Sequence, residues 1–193
     1  AHADDFADRP LPYRVFLNKS YNDDGLEVSY LLGGTSEVGF GIFRGEDFPF
    51  GNTAASEGHG SDAWSAFYKS NFNISSSEEI AFNAYHLSGK SKTPNARVSN
   101  EDNVTFSGDS DLSIINLDYE NSYSTDSKFK ISAEYFYRNQ DGTFEDSEES
   151  TGAIGFDDDD SGYYIAFVNQ FNDNLSLGFR YSELLAASTP TGL

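Results

Sequence analysis

Ser161–Leu184 reads SGYYIAFVNQFNDNLSLGFRYSEL, and its alternation decides the fold class. On the first arm Tyr163, Ile165, Phe167 and Phe171 alternate with Tyr164, Ala166, Val168 and Gln170. After a tight turn at Asn172-Asp173, Leu175, Leu177, Phe179 and Tyr181 alternate with Ser176, Gly178, Arg180 and Ser182. A period of two is the signature of a strand, so the stretch predicts a β-hairpin. The second arm is apolar on one face and small or charged on the other over about ten residues, the length of a tilted strand that crosses a bilayer. Periodicity does not say whether the apolar face meets lipid or a core.

Composition narrows the choice. The 193 residues suit one domain. With no Cys and no Met there is no disulfide framework, thiol chemistry or Cys-type zinc site. No window approaches the roughly 18 consecutive apolar residues of a membrane helix. Aromatics make up 16% of the chain, with 12 Tyr and 17 Phe, an excess that suits strands and interfacial girdles. The net charge of −20 argues against nucleic acid or an anionic membrane surface as partner and is compatible with cations, a salty environment or plain solubility. Ala1-His2-Ala3 has the form of an A-x-A cleavage site.

Working back from the hairpin, residues 1–12 form an irregular, Pro-punctuated lead-in and residues 185–193 an irregular tail, with one domain over 1–193. Tyr13, Val15 and Leu17 predict a short first strand, and Tyr21–Gly25 a turn in which Gly25 supplies a positive φ. Leu26, Val28, Tyr30 and Leu32 form the next apolar face, Gly33-Gly34 turn the chain, and Val38, Phe40 and Ile42 lead back. Trp64–Phe72 and Ile80–Leu87 follow, then Ile115, Leu117 and Tyr119, and, after Ser124-Thr125-Asp126, Phe129 to Tyr137. A short strand is expected at 152–156. The expectation is nine to ten antiparallel strands and no helix.

Predicted connections alternate in length. Those at 33–36, 73–77 and 121–127 are short, whereas 45–62, 88–110 and 139–150 are long and collect acidic residues. Outer-membrane barrels sort their loops in this way, short turns on one side and long loops on the other, and sandwiches have no reason to. The fold class expected is therefore all-β: an antiparallel up-and-down transmembrane β-barrel, or a large part of one. A soluble secreted β-sandwich that binds glycans or a protein partner is the alternative, because its alternation would look the same with the apolar face inward.

Six stretches carry a family resemblance: DFADRPLPYRVF at 5–16, DDGLEVSYL at 23–31, FRGEDFPFG at 43–51, FSGDSDL at 106–112, FKISAEYFYRNQDG at 129–142 and the opening hairpin. In that order the chain resembles the middle to later part of a proteobacterial outer-membrane β-barrel family described as zinc-regulated or TonB-dependent-receptor-like. The resemblance implies a barrel built from a chain about twice as long, of which these residues are a part. It also implies zinc as the cargo. The family's His-rich stretch would fall near 1–5, where only His2 stands, and no plug domain is present in these residues.

Candidate chemistry follows from these placements. Asn116, Asp118, Glu120, Lys128, Lys130, Glu134, Arg138 and Arg180 share the polar faces of their strands and would line the pore of a barrel, or face solvent on a soluble sheet. Metal candidates are His2 with Asp4 and Asp5, His59 beside Glu57 and Asp62, and the run Asp157, Asp158, Asp159 and Asp160. These offer ligands for Zn or Ca at acidic loops, without the spacing of a calcium loop or the four ligands of structural zinc. His86 reads as a packed or lumen-facing residue. Trp64, Tyr68, Tyr135, Tyr137, Tyr163 and Tyr181 suit an aromatic girdle. Glu120 and Glu134 have the residue type of a glycosidase pair, but nothing singles them out, and no enzyme is expected. The expected function is a channel or uptake protein for small solutes in the outer membrane of a Gram-negative bacterium. Its partners would be membrane lipid and a small solute or cation, with homo-oligomers compatible and nucleic acid excluded.

Overall fold

The structure is a computed structural model that describes residues 6, 8–17, 21–51, 62–94, 104–146 and 152–185. A short helix, α1 (Leu11–Phe16), precedes eight strands. These are β1 (Gly25–Leu32), β2 (Ser36–Phe43), β3 (Ala63–Asn73), β4 (Glu78–Pro94), β5 (Val104–Ser124), β6 (Ser127–Asp146), β7 (Ile154–Asn172) and β8 (Leu175–Leu185). Each pairs antiparallel with the next, giving one up-and-down sheet in chain order. β1 and β8 are its two edges and do not pair with each other, so the sheet is not closed into a barrel.

The strand count is eight among the described residues, against the expected nine to ten, for two reasons. The segment read as a first strand is α1. Five alternating residues do not distinguish strand from helix, and Pro12 lies in the first turn, where its fixed φ and missing N–H suit a helix. The short strand expected at 152–156 is the beginning of β7. Of the presumed long loops, 88–110 and 139–150 are largely strand: β4 and β5 pair out to Pro94 and Thr105, and β6 and β7 out to Phe144 and Ile154. With polar residues outward and only Phe106, Phe144 and Phe156 set among polar or small residues inward, these strand ends show no sustained apolar alternation. The turns at Gly33-Gly34, Ser75–Ser77 and Thr125-Asp126 stand where expected, the last hairpin turns at Asp173-Asn174, one residue later than expected, and all lie at one end of the sheet. Gly33 and Gly34 both have positive φ. Gly25 does not; it opens β1 opposite Phe43, and a Cβ there would run into the Phe43 ring.

The sheet has an inner and an outer face of opposite character. The inner face carries the core, in which Leu87, Leu112, Ile114, Phe136 and Tyr164 meet Phe16, Leu17 and Phe50. Close packing needs relief in places: Gly39 on β2 lies opposite Phe67 on β3, whose ring occupies the space a Cβ at Gly39 would fill. The outer face is apolar and uncovered, with Val28, Phe40, Leu117, Ile131, Ile165, Leu177 and Phe179 all exposed. Along β6 the outward residues from Phe129 to Tyr137 span roughly 27 Å of strand at about 3.4 Å per residue.

Past this band the polarity inverts on β5, β6 and β7. Outward positions become Asp109 and Asp111 on β5, Asn139 and Asp141 on β6, and Asp157 and Asp159 on β7, while Phe106, Phe144 and Phe156 turn inward as a buried cluster. The Phe144 and Phe156 rings meet edge to face at 4.8 Å.

Candidate functional site

Inner-face side chains come into line because cross-strand register places them in one row. Glu37, Lys69, Asn83, Asn116, Glu134, Tyr164 and Ser182 are successive Cα partners from β2 to β8. Within the row the Asn83 amide donates to Asn116 Oδ1 at 2.7 Å, and Lys69 Nζ lies 3.9 Å from Glu37 Oε2. Asn116 Nδ2 reaches Asp118 Oδ1, one step along β5, at 3.5 Å.

α1 lies against the β6–β8 part of this row. Its Tyr13 hydroxyl donates to Glu134 Oε1 at 3.1 Å, and the Leu11 backbone N–H donates to Ser182 Oγ at 3.5 Å. Phe16 stacks on Phe136 at 5.9 Å between centroids, and the Arg138 guanidinium lies 5.1 Å from the Phe16 centroid. Upstream, Arg180 donates from Nη1 to the Asp8 carbonyl and from Nη2 to Asp8 Oδ1, both at 2.7 Å, and lies 4.8 Å from the Phe6 ring centroid. Burial, reinforced by the Glu134 charge, pushes the Tyr13 phenol above its ordinary range.

Glu134 is 3% exposed, yet its second oxygen, Oε2, has no hydrogen-bond partner among the described residues. The Tyr164 hydroxyl, equally buried, stands beside the Glu134 carboxyl and forms no well-aligned hydrogen bond among the described residues. Beside them opens a cleft of about 460 Å³, lined by Tyr13, Phe67, Lys69, Tyr85 and Glu134 among others. Its walls come from β2 at Phe43 as well as β6 at Glu134, so the sheet curves around it.

All eight residues expected to line a pore lie on the inner face, in three settings. Asn116, Asp118, Glu134 and Arg138 are buried. Glu120, Lys128 and Lys130 stand toward the short turns, where Lys128 Nζ meets both Glu120 oxygens at 3.1 Å. Arg180 is held by Asp8. Glu120 and Glu134 lie on one face of neighbouring strands but in different rows, Glu120 opposite Lys130 and Glu134 opposite Asn116.

The metal candidates fare differently. His2, Asp4, Asp5, Glu57 and His59 lie outside the described residues. The run Asp157–Asp160 is not a loop: strand alternation sends Asp157 and Asp159 outward and Asp158 and Asp160 inward. Asp160 accepts two hydrogen bonds from Arg138. Among the described residues no group of three or more His, Asp or Glu is placed to hold a metal ion. Of the two settings expected for His86, the packed one holds. It sits on the outer face, 5.1 Å from the Trp64 ring, with Nδ1 at 2.9 Å from Ser113 Oγ.

Sequence reading missed Tyr13, Lys69, Asn83 and Tyr164 as members of this site. For Tyr164 the signal was present, since it shares the parity of Ala166 and Gln170. For Tyr13 it was hidden by reading α1 as a strand. In comparisons with known proteins, no family model, curated protein or solved structure matches the chain.

Proposed function

We propose that this chain is part of an outer-membrane β-barrel of a Gram-negative bacterium that passes small solutes along its polar inner face. One observation carries the reading: the outer face is an apolar band with exposed large side chains on seven of the eight strands, β4 being half-buried, and on β5–β7 it gives way to aspartates where the strands run on. Water on that face would leave a large apolar surface exposed, far beyond what a monomeric soluble protein shows. Hydrocarbon beside the band and water beside the aspartates satisfies both segments. A sheet in lipid must have its edges paired, so β1 and β8 are where the barrel is completed, by further strands or by another copy. Lipid is the partner of the outer face and the solute that of the inner. Zinc as cargo, like membership of the zinc-regulated barrel family, rests on the sequence resemblance.

Detergent dependence tests this reading. The purified chain should stay monodisperse only in micelles or lipid, and should migrate faster on a gel before boiling than after. A chain monodisperse in plain buffer, with its aromatic band protected from aqueous quenchers, would overturn it.

A further inference from the structure

We propose that Glu134, with the Tyr13 and Tyr164 hydroxyls beside it, is a binding site for a small organic ammonium ion whose apolar body fills the adjoining cleft. This inference deepens the reading of the inner face as a solute passage and rests on it. A carboxylate is expensive to bury unless its charge and its lone pairs are met. Among the described residues Glu134 has one hydrogen bond, from Tyr13, and its Oε2 has none. Four cationic side chains of the inner face are engaged elsewhere: Lys69, on the cleft lining, with Glu37, Arg138 with Asp160, Lys128 with Glu120 and Arg180 with Asp8. A ligand that brings one positive charge and N–H donors completes the site.

The surroundings define the class of cation. A hard divalent ion takes six to eight oxygens, usually from several carboxylates, and no such group is assembled among the described residues. Tyr13, Phe67 and Tyr85 instead offer aromatic walls, which attract ammonium groups and accommodate hydrocarbon. A cleft of about 460 Å³ falls within the roughly 300–1,000 Å³ of small-molecule sites. Lys69 on the same lining disfavours a second positive charge, so a monoamine with an apolar tail fits better than a polyamine.

Three probes of one shape separate charge from shape: phenethylammonium, 2-phenylethanol and phenylacetate, each titrated calorimetrically into the full chain in micelles, with empty micelles as blank. The ammonium should bind about tenfold or more tightly than the alcohol, the difference expected of one charge-assisted hydrogen bond, and the acid should bind weakest. Glu134→Gln should abolish the preference, while Glu120→Gln, on the same face but outside the cleft, should keep it. Equal affinity for ammonium and alcohol in the native chain would overturn the site even if no variant folds. So would a preference that survives Glu134→Gln. Detergent dependence is read separately, so the site and the membrane reading can each fail without the other.

Discussion

Arg138 and Asp160 face each other across β6 and β7 and form two hydrogen bonds, Nε to Oδ1 at 3.0 Å and Nη2 to Oδ2 at 2.7 Å. Both side chains are more than nine-tenths buried. The pair stands just beyond Tyr137, the last apolar outward residue of β6, and so marks the level at which the sheet's polarity turns over. Removing one partner strands a buried charge, which costs about 3–5 kcal/mol. Asp160→Asn and Arg138→Gln should therefore each lower the urea midpoint in micelles, and the double variant should lose much less than the sum. Strict additivity would show that the pair is not coupled.

The outer face supplies a prediction of unequal effects at two heights. Leu177→Arg places a cation in the apolar band, which costs roughly 2–4 kcal/mol at the middle of a bilayer and falls toward zero near its edges. Asp159→Ala, beyond the band, should change stability by less than about 0.5 kcal/mol. Refolding into lipid vesicles measures both. A Leu177→Arg chain that refolds as well as the parent would place that face in water.

Phe144 is buried among Phe106 and Phe156, past the level of the apolar band. Phe144→Ala should cost about 3 kcal/mol. Because the cluster holds only the protruding ends of β5–β7, the loss should show as faster amide exchange at 105–110 and 140–144, with the hairpin turns at 125–126 and 173–174 unaffected. Uniform acceleration across the sheet would mean that the extension and the band unfold as one unit.

Tyr21, on the connection into β1, donates its hydroxyl to Asp23 Oδ2 at 3.1 Å, and Asp23 in turn accepts from the Gly45 backbone N–H. Burial first, and the Asp23 charge second, raise the Tyr21 phenol above its ordinary value. The folded state thus favours the neutral phenol. Its contribution to stability is complete below the unfolded value of about 10 and is lost as pH rises through the folded one. Tyr21→Phe should cost about 1 kcal/mol at neutral pH and flatten the alkaline limb of the stability profile. An unchanged alkaline limb would mean that Tyr21 does not contribute to it.

Much of the fold was legible because a strand's period of two survives any tertiary context. The hairpin 161–184, the short turns and the shared face of Asn116, Asp118, Glu134 and Arg138 all follow from parity. The protruding ends of β4–β7 were not legible, since with water on the outer face their outward residues are as polar as a loop's. Nor was α1: within 11–16 the local pattern fits two structures, and what selects the helix is the pocket formed by Phe136, Tyr164 and Arg138, all more than a hundred residues away.

By itself the sequence determined the class of structure, which residues share a face of each strand, and the sorting of connections into short and long. Alternation and turn chemistry are local, so they can be read without knowing the neighbours. Only the tertiary structure decided that the run Asp157–Asp160 is divided between two faces and that Glu134 lies in one row with Lys69 and Tyr164. It also decided that β1 and β8 stay unpaired. Register and edge pairing depend on which strand lies alongside which, and that is a property of the assembled sheet.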